Sequence, residues 1–471
     1  MREDFWNIGY PFPGALVYIA APVAAAFIAW GLWRRARMWR TGAPMPDLGP
    51  WARRLRKTLK LVAYDVLAHR RFIHRELYPG LMHAALFWGI AVLAAATVLT
   101  AIEHNVAEYL GRQFPTVGWR VQTGFVWDVF GGLVAGVGVG MAAWRRYVTR
   151  PARLNTVLDD GVTLALLALV LLTGFLLEGL RIGATELNPV SSLYSPASAH
   201  WSPVGYAFAR AVSGLGATPG TMEAAHAVVW WAHVGIVTAG TAYVALRFGK
   251  LSHLVAAPLN VLFRPDRRCG VLRPMGDFEQ LSTFGAKDLP DLPWNQLLAF
   301  DACTNCGRCQ DQCPAWISGK PLSPRRLVQD MRTYMEERAP RLLAARHGEA
   351  PPPPERSMVS DAAGEDELWA CTTCAACAKA CPVFVEHIDT IIDMRRYLTM
   401  EEVRAPAPAQ AALQSLEQRG HPWRGTTLSR TDWMAGLDVP TMARRPGAEY
   451  LFWVGCTGAL VERCVAVTRV V

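Results

Sequence analysis

Cys303-Thr-Asn-Cys306-Gly-Arg-Cys309-Gln-Asp-Gln-Cys313-Pro314 and Cys371-Thr-Thr-Cys374-Ala-Ala-Cys377-Ala-Lys-Ala-Cys381-Pro382 write one spacing twice, C-x2-C-x2-C-x3-C-P. Three thiolates in so short a loop wrap one face of an iron–sulfur cubane, while the fourth is carried by the next turn of chain towards the other cluster. The spacing therefore assigns Cys303, Cys306, Cys309 and Cys381 to one [4Fe–4S] cluster. Cys371, Cys374, Cys377 and Cys313 go to a second. Structural zinc sites pair two C-x2-C knuckles set far apart, without the dense triplet or the terminal proline, so zinc is the weaker reading. Eleven cysteines in 471 residues would also permit disulfides. Eight stand in these two strings, however, and none lies in a loop read below as extracytoplasmic, which favours metal thiolates in a reducing compartment.

Upstream the chain changes character. The composition is 52% hydrophobic with 18 Trp, and the apolar residues fall in long blocks. Five blocks are long enough to span a hydrocarbon core of about 30 Å: Gly14–Trp33, Gly80–Ile102, Phe125–Trp144, Gly161–Leu180 and Ala225–Phe248. The first offers small residues at 21–26, as a signal peptide would. Arg2 is nevertheless followed by Glu3 and Asp4, and the apolar run continues through Trp30 and Trp33 into an arginine cluster, so it reads as a retained anchor. In the third block Gly132, Gly136 and Gly140 recur every four residues, the pattern of close helix packing. Asp128 and Glu178 lie near the outer ends of their blocks, where interfacial solvation competes with a role in quinone protonation.

Lys and Arg alternate between the loops. Twelve lie between the first two blocks, from Arg34 to Arg75, and only Arg112 and Arg120 in the next loop. Arg145, Arg146, Arg150 and Arg153 follow the third block, and only Arg181 and Arg210 the fourth. Positive loops stay inside, so the N-terminus is expected outside and everything after the fifth block in the cytoplasm of a multi-pass protein of the plasma or inner membrane. The net charge of +9 is concentrated at helix ends, which argues against nucleic acid as a partner and for membrane lipid.

A bis-histidine haem needs two imidazoles from different helices at similar depth. His83 lies about 5 Å inside the inner end of the second block at 1.5 Å rise per residue, and His253 follows the fifth block at the same face. His226 and His233, seven apart, share one helical face within about 20°. His233 is a candidate ligand of a second haem, and His104 matches His226 in depth. For any one intramembrane histidine, a packing or interfacial role is the competing reading.

Gly80-Leu-Met-His83 and Lys250-Leu-Ser-His253-Leu-Val-Ala-Ala-Pro258 resemble the haem-ligand segments of the gamma subunit of respiratory nitrate reductase, a five-span cytochrome b. That resemblance implies a b-type haem held by His83 and His253. The family carries another histidine ten residues into the second span. This chain has Leu93 there, which leaves the second haem open.

Between the cysteine strings, Ser323-Pro324 starts a helix whose Leu327, Met331 and Met335 recur at four-residue steps, and Pro351–Pro354 reads as a surface loop. The arrangement resembles the α-helical ferredoxin domain of succinate dehydrogenase and heterodisulfide reductase. Tyr450-Leu-Phe-Trp-Val-Gly-Cys456 is an apolar strand-like run followed by a segment able to begin a helix. It resembles the first strand of the cysteine-rich domain found in heterodisulfide reductase catalytic subunits and in one of the subunits of glycerol-3-phosphate dehydrogenase. No Cys-Cys-Gly motif follows, so the expectation is a domain that is truncated or completed by another chain. Cys456, Cys464 and Cys269 read equally as ligands of a further cluster or as buried bystanders.

The expected architecture is thus an all-α membrane bundle of five helices, an α-helical ferredoxin domain with two [4Fe–4S] clusters, and the start of a cysteine-rich α/β domain. The expected boundaries are 1–257 for the cytochrome-b-like domain, 258–292 for a linker, 293–400 for the twin-cluster domain, 401–448 for a second linker and 449–471 for the incomplete domain. As a whole the chain resembles the fused membrane iron–sulfur oxidoreductases assigned as electron-transfer-flavoprotein:menaquinone oxidoreductases of fatty-acid β-oxidation. The resemblance implies reduced electron-transferring flavoprotein as donor and membrane menaquinone as acceptor. The residues by themselves display redox centres but no hydride-transfer site and no Gly-rich dinucleotide fingerprint, and no catalytic residue is assigned. Two rivals remain, a quinol-linked disulfide reductase resembling heterodisulfide reductase and a non-catalytic membrane anchor and electron relay.

Overall fold

The computed structural model describes residues 6–9, 16–45, 49–110, 123–265, 267, 271–281, 283–345 and 352–471, without the side chains of 104–110 and 280. Arg112, Arg120, Cys269 and Pro351, and the side chain of His104, lie outside this description. The described residues are helical and contain no strand, only isolated bridges.

Among the described residues, five helices are long and apolar enough to cross a membrane: Val17–Trp39, Leu77–Glu103, Val126–Thr149, Leu158–Ala184 and Pro219–Arg247. They overlap the five apolar blocks and extend them by a turn or two, since a helix continues into polar residues once its hydrogen bonds are in place. Proline at the first helical position starts the fifth, where Thr218 caps by accepting from the Thr221 amide at 3.3 Å. The first span packs on the fifth, the fifth on the fourth, the fourth on the third and the third on the second. Ile19, Phe130 and Val228 stay exposed along these helices, as apolar side chains facing lipid must. Large, fully buried side chains such as Leu297, Phe300, Leu322 and Tyr334 belong instead to the cysteine-rich half, which needs a core because water surrounds it.

The glycine row of the third span does not act as one face. Gly132 lies against Phe175, but a Cβ at Gly136 or Gly140 would meet nothing; the close approaches fall at Gly131 beside Leu93 and Gly138 beside Leu86. Val126–Leu133 is π-helical, and its i→i+5 turns rotate the residues that follow away from the 3.6-residue template. Asp128 meets a helix start. Its Oδ2 accepts from the amides of Val204 and Gly205 at 2.6 and 3.3 Å, capping the helix Pro203–Gly214. Glu178 pairs with Arg181 at 3.0 Å.

Met1–Glu279 and Ala286–Met394 form one compact unit, so the membrane helices and the cysteine strings share a body. The arginines at the span ends do more than mark a loop. Arg35 reaches Asp301 at 3.6 Å and Glu336 at 2.5 Å, Trp39 donates to Asp301 at 2.7 Å, and Arg332 meets Asp301 at 3.1 Å. Arg71 donates to the Cys381 carbonyl at 3.0 Å, Asn260 to that of Val383 at 2.8 Å, and Lys250 to that of Thr304 at 2.9 Å. Residues 258–292, expected as a linker, begin inside the helix His253–Leu262, and Arg264, Arg267 and Arg273 pair with Glu386, Asp389 and Asp393.

Gln280–Gly285 and Arg395–Val471 form a second unit. The stretch 401–448, expected as a linker, contains the helix Ala407–Arg419, and Trp433 is buried against Ala459 and Leu460. Residues 450–455 are not a strand; a strand needs a neighbour to take its hydrogen bonds, and the described chain offers none. Tyr450 and Trp453 are largely exposed, and helices Cys456–Leu460 and Glu462–Val470 follow. Cys456 and Cys464 are half-buried free thiols.

Candidate redox centres

The two cysteine strings adopt the same backbone. Asn305 and Thr373, two residues after the first cysteine, and Gly307 and Ala375, just after the second, all have positive φ. Such alternation turns successive amides towards one concavity, a nest that receives anions, including iron–sulfur cores. At Gly307 a Cβ would also stand 2.5 Å from the Arg153 carbonyl oxygen, so only glycine fits. The Thr373 amide donates to Cys371 Sγ at 3.4 Å and the Val385 amide to Cys381 Sγ at 3.3 Å.

Each string ends in a cysteine held extended before proline, Cys313 with ψ 117° and Cys381 with ψ 122°, as the proline ring demands. That extension carries the fourth thiol away from its own loop. One cavity, of about 400 Å³ including its mouth, is lined by Cys303, Cys306, Cys309 and Cys381. Another, of about 300 Å³, is lined by Cys313, Cys371, Cys374 and Cys377. Cys377 also reaches the wall of the first. Burial, reinforced by neighbouring thiols, pushes Cys377 and Cys381 up to about 12 and raises Cys303 and Cys309 above the usual thiol range. Thiols raised in this way stay protonated by themselves, and binding a metal core would release their protons. The donor sets fit iron–sulfur clusters. His387, buried and lowered to about 4 by that burial, lines both cavities; nothing in its spacing marks it in the sequence.

Ser323 links these loops to the insert helix Pro324–Ala344. Its hydroxyl accepts from the Arg326 amide at 3.2 Å and donates to Gln310 at 2.7 Å. The recurrent Leu327, Met331 and Met335 are all buried.

Beside the first cysteine cavity is a larger one, enclosing about 1350 Å³ including its mouth. Leu61, Phe87, Leu254 and Val261 supply apolar wall, and His83 and His253 line it with ring centroids 6.2 Å apart and planes tilted by 54°. Imidazoles at opposite axial positions of one iron, with metal–nitrogen bonds of about 2 Å, have centroids about 6 Å apart. His253 Nδ1 bonds the Lys250 carbonyl at 2.7 Å, and His83 Nδ1 bonds His69 Nε2 at 2.9 Å, so the remaining nitrogen of each ring is Nε2. These residues fit a b-type haem. Phe72 stacks on His83 at 4.7 Å and 9°, and the Arg308 guanidinium lies 4.9 Å from the Phe72 ring centre. Thr304, Cys306, Pro382 and Val383 line this cavity and the first cysteine cavity alike.

The other histidines are arranged differently. His233 Nδ1 bonds Thr173 Oγ1 at 2.7 Å, and among the described residues no second histidine ring contacts it. His226 meets Trp6 edge-on at 4.8 Å.

A family model for a 4Fe-4S dicluster domain matches residues 302–385. The EtfAB:quinone oxidoreductase of Syntrophomonas wolfei is 33% identical over 98% of this chain and 66% of its own length. A probable iron-sulfur-binding oxidoreductase, FadF, of Bacillus subtilis is 28% identical over 87% of this chain and 60% of its own. A probable membrane-anchored ferredoxin of Chromohalobacter salexigens is 37% identical over 44% of this chain and 34% of its own. The chain thus spans roughly two thirds or less of the length of these curated relatives. No solved structure matches it.

Proposed function

Since the chain belongs to the fused membrane iron–sulfur oxidoreductases, the family of the EtfAB:quinone oxidoreductase, we propose that it passes electrons between a cytoplasmic flavoprotein and a quinone in the membrane. The donor in this reading is reduced electron-transferring flavoprotein and the acceptor menaquinone; the name of the Syntrophomonas wolfei relative gives EtfAB and a quinone. The carrying observation is the shared wall: Thr304, Cys306, Pro382 and Val383 border both the cavity of Cys303, Cys306, Cys309 and Cys381 and the cavity of His83 and His253. Two [4Fe–4S] clusters and a b-type haem, when bound, supply the one-electron centres that link a two-electron flavin to a two-electron quinone.

The chain's own residues set the order of the path. Cys371, Cys374, Cys377 and Cys313 hold the cluster farther from the histidine pair, with Cys374 exposed at the surface a donor would approach. Cys303, Cys306, Cys309 and Cys381 hold the nearer one, and Arg308 and Phe72 fill the space between its loop and His83. The apolar wall of Leu61, Leu254 and Val261 keeps water from the histidine pair. His233 is the candidate ligand for a further haem.

The test mixes the detergent-purified holoprotein with reduced electron-transferring flavoprotein and a menaquinone analogue. Flavin reoxidation that requires both protein and quinone is the expected result; flavin that stays reduced over intact clusters would reject the reading. The orientation has its own check. A reporter fused after Lys250 should behave as cytoplasmic and one near Ser198 as extracytoplasmic; the reverse at either position would put the cysteine strings on the wrong side for a cytoplasmic donor.

A further inference from the structure

His69 belongs to no sequence motif, yet it is only 2% exposed and both its ring nitrogens are engaged. Nδ1 lies 3.2 Å from the Leu67 carbonyl oxygen, and Nε2 lies 2.9 Å from His83 Nδ1. The Leu67 carbonyl also accepts from Trp88 Nε1 at 3.1 Å.

These contacts fix every proton in the chain of bonds. A carbonyl oxygen only accepts, so His69 Nδ1 carries the hydrogen. A neutral His69 then has a bare Nε2, which accepts from His83 Nδ1–H. His83 is thereby left with its lone pair on Nε2. His253 reaches the same state by a shorter route, since its Nδ1 donates to the Lys250 carbonyl. Two lone pairs on rings 6.2 Å apart by centroid cannot hydrogen-bond one another. They suit a metal between them. The same count excludes His69 as a metal ligand in place of His83, because neither of its nitrogens is free.

The placement of His69 depends on an unusual backbone. Its φ is 50°, a left-handed conformation that non-glycine residues seldom adopt, at the step from the π-helix Val62–Leu67 to the short helix Arg70–Ile73. Phe87 meets the ring edge-on at 5.2 Å, and Phe72 lies at 6.1 Å. The conformation thus brings an imidazole acceptor to His83 Nδ1.

We infer that His69 is a positioning residue for the haem ligand His83: it accepts the Nδ1 proton, fixes the tautomer that presents Nε2 to iron, and strengthens that nitrogen as a donor. The inference rests on the reading that His83 and His253 hold a b-type haem. Outer acceptors of this kind orient metal-bound imidazoles and raise their basicity, which favours the oxidised iron and lowers the midpoint potential.

The test is a redox titration and low-temperature electron paramagnetic resonance on the membrane-bound holoprotein. His69→Leu should keep both clusters, shift the haem midpoint potential upward and move or broaden the low-spin g-values. His69→Gln, whose amide oxygen can accept the same proton, should bring both readouts back towards the wild type. Should His69→Leu fail to assemble, judged by loss of cluster iron, His69→Phe takes its place, filling the same space without an acceptor. Unchanged potential and g-values in the acceptor-free variant would overturn the inference, as would a Gln variant indistinguishable from it. Retention of the full haem signal in His83→Ala would instead overturn the haem reading beneath it.

Discussion

His83→Ala and His253→Ala should each remove one low-spin haem signal completely while iron and acid-labile sulfide each stay near about eight per chain, the content of two cubanes. The expectation follows from the separation of the donor sets. His83 comes from the helix Leu77–Leu110 and His253 from the start of the helix His253–Leu262, whereas the eight thiols lie between Cys303 and Cys381. Either alanine would leave one of the two imidazoles that would hold a b-type haem, and one ligand would not be enough for a low-spin signal. Electron flow to quinone should fall with the signal, although an external donor can still reduce the clusters. The cavity around the pair is large and mostly apolar, so the alanine variants lose a ligand without leaving a buried charge, and the fold should persist. If both variants retain the full haem spectrum, the pairing is wrong and His233 or His226 becomes the better candidate. Stoichiometric zinc with little sulfide would overturn the cluster assignment in the same experiment.

The parts of this molecule that were legible in its sequence are those with a fixed period or spacing. Five apolar blocks appear as five helices because a run that long, bounded by arginine, has one inexpensive conformation in lipid. The start of the insert helix was readable from Ser323-Pro324, and its core face from Leu327, Met331 and Met335, because cap and period agree. What escaped depends on local departures from ideal geometry. The π-helical turns at Val126–Leu133 redistribute the third-span glycines, and nothing in Gly132, Gly136 and Gly140 as letters announces it. His69 matters through a left-handed φ and a contact to a residue fourteen positions on. His387 matters by lying where two cavities meet. The segment 450–455 reads as a strand in isolation, but strand formation is decided by a pairing neighbour. The arginines carried two meanings at once: the positive-inside pattern, and the salt bridges of Arg35 and Arg153 to Asp301 and Asp311, which only tertiary contact reveals.

Cys313→Ala should damage the cluster of the second cysteine string rather than that of its own, and Cys381→Ala should damage the cluster of the first. The two extended, pre-proline cysteines are the reason. Cys313 lines the cavity of Cys371, Cys374 and Cys377, and Cys381 that of Cys303, Cys306 and Cys309. The two clusters can be told apart by Cys306→Ala and Cys374→Ala, each removing a central ligand from one string and with it one paramagnetic signal. In the crossed arrangement the signal lost or altered in Cys313→Ala is the one lost in Cys374→Ala, and Cys381→Ala follows Cys306→Ala. In an uncrossed arrangement the pairs are exchanged, so a Cys313→Ala spectrum matching Cys306→Ala would reject the assignment outright. Crossing also makes each terminal cysteine a tie between the loops, which otherwise meet through packed side chains such as buried Cys377 and half-buried Cys309. Both terminal variants should therefore lower the thermal midpoint of the loaded protein more than Cys374→Ala, whose side chain is exposed and joins no second loop. The haem spectrum should survive in all four variants, while haem reduction from the cytoplasmic side should fail in Cys306→Ala, because that thiol stands on the wall shared with the histidine cavity.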